Sequence, residues 1–446
     1  AVLSGVTHGY LVWGVRDGDH GIVGTRFEHE IAKGAGNEDL LPWLTRLLSP
    51  QVYFEFRTIE TGVGIRVVIL EVAAARATPT AFSGDRYVRV GSYKKRLPEY
   101  PEYESRLWEL LRGTGFEAGI ARANLTESAL LEQLDYPALF DLLQLPLPET
   151  RRGIVESLVR EGLAGRGAAG DLYITNLGAL LLAREMVAFP TVSRKTIRVV
   201  QYDGSSRAGG NEIQAGSRGY AGGFSGLQDY LHARLPSAEI VESGLRRHQQ
   251  VYPQRAIREL VANMLIHQDL SVGGSGPMVE IFSNRIEFTN PGVPLIDVRR
   301  FIGQRPPSRN EALALFMTRV GISEERGSGW EKIAAEVELH QLPAPRITVE
   351  SDHTKVTLFA PRPFSEMSKT ERSEAVYLHT VLRFVSSEAT TNTSIRARFG
   401  IAEQNSAQAS RLLTDAMDAG LILIEDVSVG TRLRRYVPFW SVAEVA

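Results

Sequence analysis

Pro253 to Asp269 reads PQRAIRELVANMLIHQD, and the rest of the chain is read outward from it. Ala256, Ile257, Leu260, Val261, Met264 and Leu265 recur at the spacing of one helical face, which predicts an amphipathic helix with a buried stripe. Pro253 suits the first turn, where a missing amide proton leaves no bond unmade. On another line of the same helix Arg255, Glu259 and Asn263 stack four residues apart, with small Ala262 beside them. A carboxylate one turn from a carboxamide can divide the work of a nucleotide site: the carboxylate orients an attacking water, and the amide oxygen takes a place on Mg²⁺. The same pair can also simply face solvent, and taken alone it favours that reading.

The following segments change the balance. After a polar turn, Ser271 to Gly276, comes MVEIFSNRIEFTNPG. Met278–Phe282 and Ile286–Thr289 alternate as strands, with Ser283, Asn284 and Arg285 as the tight turn between them. The hairpin ends on Asn290, Pro291 and Gly292. Pro307, Ser308, Arg309 and Asn310 precede a helical run from Glu311 to Val320. Glu325-Arg326-Gly327-Ser328-Gly329-Trp330 then leads into another, Glu331 to Leu339. Glycines just before a helix free backbone N–H groups to meet an anion, and the helix N-terminus adds partial positive charge.

The order ELVAN, IEFTNPG, SRN, ERGSG resembles the divergent ATPase domain labelled RecG-like or divergent AAA in bacterial and archaeal proteins. That domain is similar to the Bergerat-fold ATPases of the gyrase, heat-shock chaperone, histidine kinase and mismatch-repair types. The resemblance covers roughly residues 190 to 362. It implies that Glu259 is the general base and Asn263 the Mg²⁺ ligand, and that Asn290 to Gly292 line an adenine pocket. Gly327, Ser328 and Gly329 would hold phosphate beneath a lid drawn from Pro294 to Arg326. In one respect the chain departs from the pattern: an Asp is expected in the adenine loop, where this chain has Asn290, whose amide oxygen accepts without charge assistance. Weak nucleotide binding, or none, is therefore an open outcome. The RecG-like label implies no helicase motor, because no P-loop is found.

With 446 residues, 43% of them hydrophobic and 23% charged, the chain has an ordinary soluble composition and room for three or four domains. No apolar run approaches the roughly 20 residues of a membrane span. The absence of Cys excludes disulfides and thiolate metal sites and fits a reducing cytoplasm. No signal peptide is visible, and a first residue other than Met leads to the expectation that upstream sequence is missing. A net charge of −2 announces no global basic field, so any nucleic-acid surface must be local.

Residues 1–112 predict an α/β module. Its expected strands are Tyr10–Val15, Gly21–Thr25, Val52–Glu60, Gly64–Val72 and Asp85–Val90, and its helix is Glu38–Leu48. GYLVWGVRDGDHGIVGT, RVVILEV, Pro79 with Phe82, and YVRVGS resemble the Schlafen AlbA-like domain. Arg86, Arg89, Lys94, Lys95 and Arg96 form its densest cationic run. Phosphate contact and charge protection of an edge strand explain the run equally well. Nuclease members of that family rely on acidic residues; Glu55 and Glu71 lie on strands here, but alternation can leave them solvated, and metal-dependent cleavage is not carried over.

Residues 126–189 predict helices at Tyr136–Leu143 and Pro148–Glu161, a strand at Asp171–Thr175 and a helix from Asn176. This is a winged-helix outline, read as a structural connector, with Arg151, Arg152 and Arg160 the arguments for DNA contact. Within 190–362, Arg207 to Gly223 is glycine-rich and reads as a flexible loop before a helix starting at Phe224. Residues 366–446 follow Pro361-Arg362-Pro363 and predict helices at Glu371–Ser386, Thr393–Phe399 and Asn405–Ala419, then a wing of Leu421–Glu425 and Leu433–Val437. In such a winged helix-turn-helix Asn405, Ser406, Gln408 and Arg411 are positioned for base edges, and Arg432, Arg434 and Arg435 for phosphate. Nine Lys or Arg against ten Asp or Glu from Glu366 onward leave dimerisation as the alternative use of this shape. His267 has no second His at ligand spacing and reads as structural.

The sequence thus predicts a cytoplasmic α/β multidomain protein: an AlbA-like module, a winged-helix connector, a Bergerat-type sandwich and a C-terminal winged helix-turn-helix. The expected function is an ATP- and Mg²⁺-binding, DNA-associated regulator, possible as a homodimer. The alternatives are a metal-dependent nuclease of the Schlafen type and a dimeric scaffold that binds no ATP.

Overall fold

The computed structural model describes residues 8–49, 52–61, 64–73, 75, 79–90, 93–104, 107–108, 115–167, 170–209, 211–242, 245–304, 308–324 and 328–444. The chain is an α/β multidomain protein and divides into two compact units, 1–119 and 120–446.

In the first unit β1 (His8–Trp13), β3 (Phe54–Glu60) and β4 (Arg66–Ala73) form an antiparallel sheet in the order β1-β4-β3. The central β4 buries Val67, Val68 and Leu70, as an apolar run flanked by partners on both sides should. Helix α1 (Leu40–Leu47) runs into β2 (Leu48–Ser49), which pairs with β5 (Ala81–Phe82), and β6 (Tyr87–Val90) pairs with β7 (Tyr93–Arg96). The strand expected over Gly21–Thr25 does not form. Gly14 and Gly24 take positive φ, 104° and 80°, and bend the chain so that only a Val15–Ile22 bridge remains.

The second unit opens with β8 (Ile120–Leu125), α2 (Glu127–Gln133), α3 (Tyr136–Leu143) and α4 (Arg151–Arg160), followed by β9 (Ala164–Arg166) and β10 (Leu172–Thr175) in a sheet ordered β8-β10-β9. Helix α4 starts later than Pro148 because Thr150 is its N-cap, with Oγ1 accepting from Gly153 N at 3.1 Å. All of α5 (Asn176–Leu182) is buried.

The largest sheet has six strands in the order β12-β11-β15-β16-β18-β17. They are β11 (Arg198–Tyr202), β12 (Asn211–Ala215), β15 (Met278–Phe282), β16 (Arg285–Pro291), β17 (Arg346–Val349) and β18 (His353–Phe359); β11 and β15 are parallel and the other pairs antiparallel. A separate hairpin, β13 (Ser237–Glu242) and β14 (Leu245–Gln250), precedes α7 (Gln254–Ile266). The expected glycine-rich loop 207–223 is corrected twice. Its middle is the edge strand β12, and α6 (Tyr220–Arg234) begins before Phe224. Buried Tyr220 fixes that start by donating its hydroxyl to Lys195 O at 2.7 Å.

Helices α8 (Glu311–Arg319) and α9 (Gly329–Leu339) lie between β16 and β17 in sequence, and α9 packs along α7. The chain ends with α10 (Lys369–Val385), α11 (Asn392–Phe399), α12 (Ser406–Asp418) and the pair β19 (Ile422–Ile424) and β20 (Tyr436–Pro438). Capping boxes at Ser368/Glu371 and Thr391/Ser394 set the starts of α10 and α11. Val376, Val381, Ile395, Leu412, Ile422 and Trp440 share one apolar core. The strand expected at Leu433–Val437 starts only at Tyr436, because Thr431–Leu433 coils into a 3₁₀ turn. Among the described residues no helix is long and apolar enough to cross a membrane.

Candidate nucleotide site

Helix α7 is covered on more than its apolar stripe. Glu259 is only 5% exposed, which removes the reading of a solvated polar face: a carboxylate is not desolvated to this extent without a role or a partner. Its protein partner is the Arg258 guanidinium, 3.7 Å from Oε1. Burial holds the Glu259 proton affinity above the ordinary carboxylate range, opposed by the positive charges of Arg258, Lys332 and Arg255.

Glu259 and Asn263 open onto a cavity of about 610 Å³. Asn290, Arg309, Gly329 and Trp330 line it as well. The N-terminus of α9 sits directly over the α7 pair: a Cβ on Gly329 would stand 3.1 Å from Glu259 Oε2, 3.4 Å from Asn263 Nδ2 and 3.6 Å from its Oδ1. Only glycine keeps that space clear. Asn263 Nδ2 is buried with no hydrogen-bond partner among the described residues, so its amide is left for a ligand. Ser328, the N-cap of α9, makes no side-chain capping bond and therefore leaves the first-turn amides uncapped. Gly327, expected at the same end, lies outside the described residues, as do Glu325 and Arg326.

At the other end of the cavity Asn290, 8% exposed, donates Nδ2 to Pro291 O at 3.2 Å, which leaves Oδ1 as its acceptor. Gly292 turns the chain at φ 98°; its N–H meets Asp352 O at 2.6 Å and its carbonyl accepts from Thr354 Oγ1 at 2.7 Å. Thr354 stands opposite Asn290 in the β16–β18 register and lines the cavity. Sequence reasoning missed it because no local pattern predicts that pairing. Asn310, the last residue of the SRN element and given no role from sequence, is 3% exposed, and its Nδ2 reaches Ile266 O at 2.8 Å and Gln268 O at 2.7 Å, closing carbonyls at and just past the C-terminus of α7. Arg309 beside it donates to Val293 O at 2.7 Å.

The chain matches two family models. Residues 274–358 match the model described as "Putative ATP-dependent DNA helicase recG C-terminal", and residues 6–98 match "Schlafen, AlbA_2". Asn290, Gly292, Ser328 and Gly329 fall inside the recG C-terminal match, whereas Glu259 and Asn263 precede it. Among solved structures, the DIP2311 protein from Corynebacterium diphtheriae is similar at 18% identity, with 98% of this chain and 84% of that chain covered and a TM-score of 0.44. No curated protein matches the chain.

His267, on the wall of the same cavity, has its pKa pushed down to about 4, first by burial and then by the nearby Arg309 charge. The unfolded chain, with its histidine near 6.5, therefore takes up a proton before the folded chain does. Stability is expected to fall as pH drops from about 6.5 towards 4, by up to about 3 kcal/mol. Denaturant midpoints from pH 7 to pH 4.5 check this, and His267→Gln should flatten that part of the curve.

In the AlbA_2 segment the five cations do not share a face. Register pairs Tyr87 with Arg96 and Arg89 with Lys94, so Arg89, Lys94 and Arg96 lie on one exposed face of β6–β7. Arg96 is ion-paired with Asp85 and Lys94 sits 4.4 Å over the Tyr87 ring. Lys95 falls on the opposite side, and Arg86, half-buried, donates to Pro79 O. Glu55 and Glu71 are cross-strand partners bridged by Arg57, at 2.9 and 3.3 Å, and among the described residues no group of three or more His, Asp or Glu could hold a metal. In the C-terminal part Asn405, Ser406, Gln408 and Arg411 are exposed at the start of α12. Ser406 O accepts from Asn392 Nδ2 at 2.9 Å. Arg432 and Arg435 are exposed, whereas Arg434 is partly buried, all three in the segment before β20.

Proposed function

We propose that the second unit binds Mg-ATP and passes its occupancy to the C-terminal helices, making the chain an ATP-responsive, DNA-associated regulator. The observation that carries this reading is the meeting of buried Glu259, the unpartnered Asn263 amide, uncapped α9 and Asn290 in one cavity. Asn263 would hold Mg²⁺, which when bound neutralises charge on the phosphate oxygens. In this reading Glu259 takes a proton from water, Ser328 and Gly329 meet phosphate, and Asn290 with Gly292 seats the base.

Transmission to the flanking helices is supported by the segment 297–303 on the cavity's rim. Phe301, a cavity residue, packs 5.2 Å from Trp330. Two residues earlier Arg299 makes a two-point ion pair with Glu374 on α10, and Tyr377 donates its hydroxyl to Arg299 O. Ile302 belongs to the same apolar core as α10 and α12. On the far side Arg319 of α8 pairs with Glu161 at 2.8 Å. Ligand contacts that shift this rim have a packed route to α12, where Asn405, Gln408 and Arg411 are offered to base edges, with Arg432, Arg434 and Arg435 for backbone. Arg89, Lys94 and Arg96 are the corresponding phosphate contacts on the AlbA-like module.

Titration calorimetry with Mg-ATP tests the reading. Saturable binding is expected for the wild type and none for Asn263→Ala. No binding by either leaves a scaffold of the same fold.

A further inference from the structure

Glu324 stands beside the start of α9. The carboxylate lines the cavity wall. Its Oε2 accepts from Ser328 Oγ at 3.0 Å, and its Oε1 is ion-paired with the Lys332 ammonium. Ser328 is the N-cap and Lys332 the fourth residue of α9, joined by the Lys332 N to Ser328 O bond at 3.1 Å. One carboxylate therefore engages a hydroxyl and an ammonium at the mouth of a helix N-terminus. Those are the donors a terminal phosphoryl group needs.

The neighbouring α7 pair points to a ligand independently of that helix end. Glu259 is buried, with the Arg258 guanidinium 3.7 Å from its Oε1, and Asn263 Nδ2 has no hydrogen-bond partner among the described residues. Lys332 is near enough for its charge to act on Glu259. Both Glu324 and Lys332 keep more than a third of their side-chain surface exposed, so the contact is exchangeable with solvent and is not part of the core.

We propose that Glu324 is an internal stand-in for the terminal phosphate of a nucleoside triphosphate, and that Ser328 and Lys332 are that phosphate's ligands. Resting on the nucleotide reading above, this adds that a triphosphate must displace the Glu324 carboxylate from both donors, whereas a monophosphate does not reach them. Resting affinity for triphosphate is thereby held down by competition and by like-charge repulsion, and affinity for monophosphate is unaffected.

The test is calorimetry with Mg-ATP and with AMP on the full chain, its Glu324→Gln variant and its Lys332→Met variant, with a ligand-free thermal melt of each to show that folding is kept. Glu324→Gln is expected to bind Mg-ATP about tenfold more tightly and Lys332→Met about tenfold more weakly, with AMP affinity unchanged in both. If Mg-ATP binds equally to wild type and Glu324→Gln, the stand-in is overturned while the nucleotide site stands. Equal changes for AMP and Mg-ATP overturn it too, because the effect is then not at the terminal phosphate. Silence of all three proteins towards both nucleotides overturns the site itself, and the stand-in with it.

Discussion

Glu259→Gln is expected to keep Mg-ATP binding, to slow phosphate release by about 10²–10⁴-fold, and to make the protein harder to unfold above neutral pH. The two halves have one cause. A carboxylate that is 5% exposed is desolvated in the folded chain, and burial raises its proton affinity against the pull of Arg258, Lys332 and Arg255. The folded state thus binds that proton more tightly than the unfolded state does. The stabilisation this gives is present at low pH and is lost as pH rises through the raised folded value, so the ionised group costs stability at neutral pH and above. Glutamine has the same shape, does not ionise and cannot accept a proton from water. Thermal melts of wild type and variant should therefore differ most at pH 8 and converge only as pH falls below the unfolded value of 4.5, while a phosphate-release assay follows the chemical loss. A variant that melts lower at pH 8 would mean that the Arg258 pair outweighs burial, and the proposed poise of Glu259 would fail.

How much of this was legible beforehand follows from which interactions are local. The stripe of α7 and the β15–β16 hairpin are written in period and in the Ser283-Asn284 turn, so both were readable, though Arg285, expected in that turn, already belongs to β16, paired with Phe282. That Glu259 is buried was not, because its cover is Gly329 and the rest of α9, seventy residues on. Thr354 enters the site through strand register, and Asn310 braces the end of α7 through a side chain reaching back to it; neither relation has a period. β12 escaped notice because all five of its residues are exposed on an edge, so NEIQA carries no alternation to read. The cationic run over Arg86 to Arg96 is dense in sequence, yet strand parity sends Lys95 to the other side and Arg86 to Pro79 O. The arginines meant for the wing precede β20, since Thr431–Leu433 coils first. Composition and local pattern thus specified the elements, and the site was decided by contacts between elements far apart in the chain.

Gly292→Ala is expected to destabilise the second unit by about 3 kcal/mol and to remove nucleotide binding with it. Two independent penalties fall on this position. Its φ of 98° lies where an L-residue is strained, and a Cβ there would stand 2.7 Å from Asp269 Cβ and 3.1 Å from Asp269 N. The neighbour has little freedom to yield, because Asp269 N donates to Pro291 O at 2.7 Å while Gly292 N is held by Asp352 O and Gly292 O by Thr354. Any shift is passed to Asn290, one residue before Pro291, and so to the base end of the cavity. Gly329→Ala separates fold from site. No positive φ strains that position, and the atoms nearest the added Cβ would be the ends of Glu259 and Asn263, at 3.1 and 3.4 Å. That protein should melt near the wild-type temperature yet bind Mg-ATP poorly, since the methyl occupies the space between the α9 amides and the α7 pair. Denaturant unfolding and calorimetry on both variants distinguish the cases. Loss of stability in Gly292→Ala with binding intact would place the ligand away from the β16 turn.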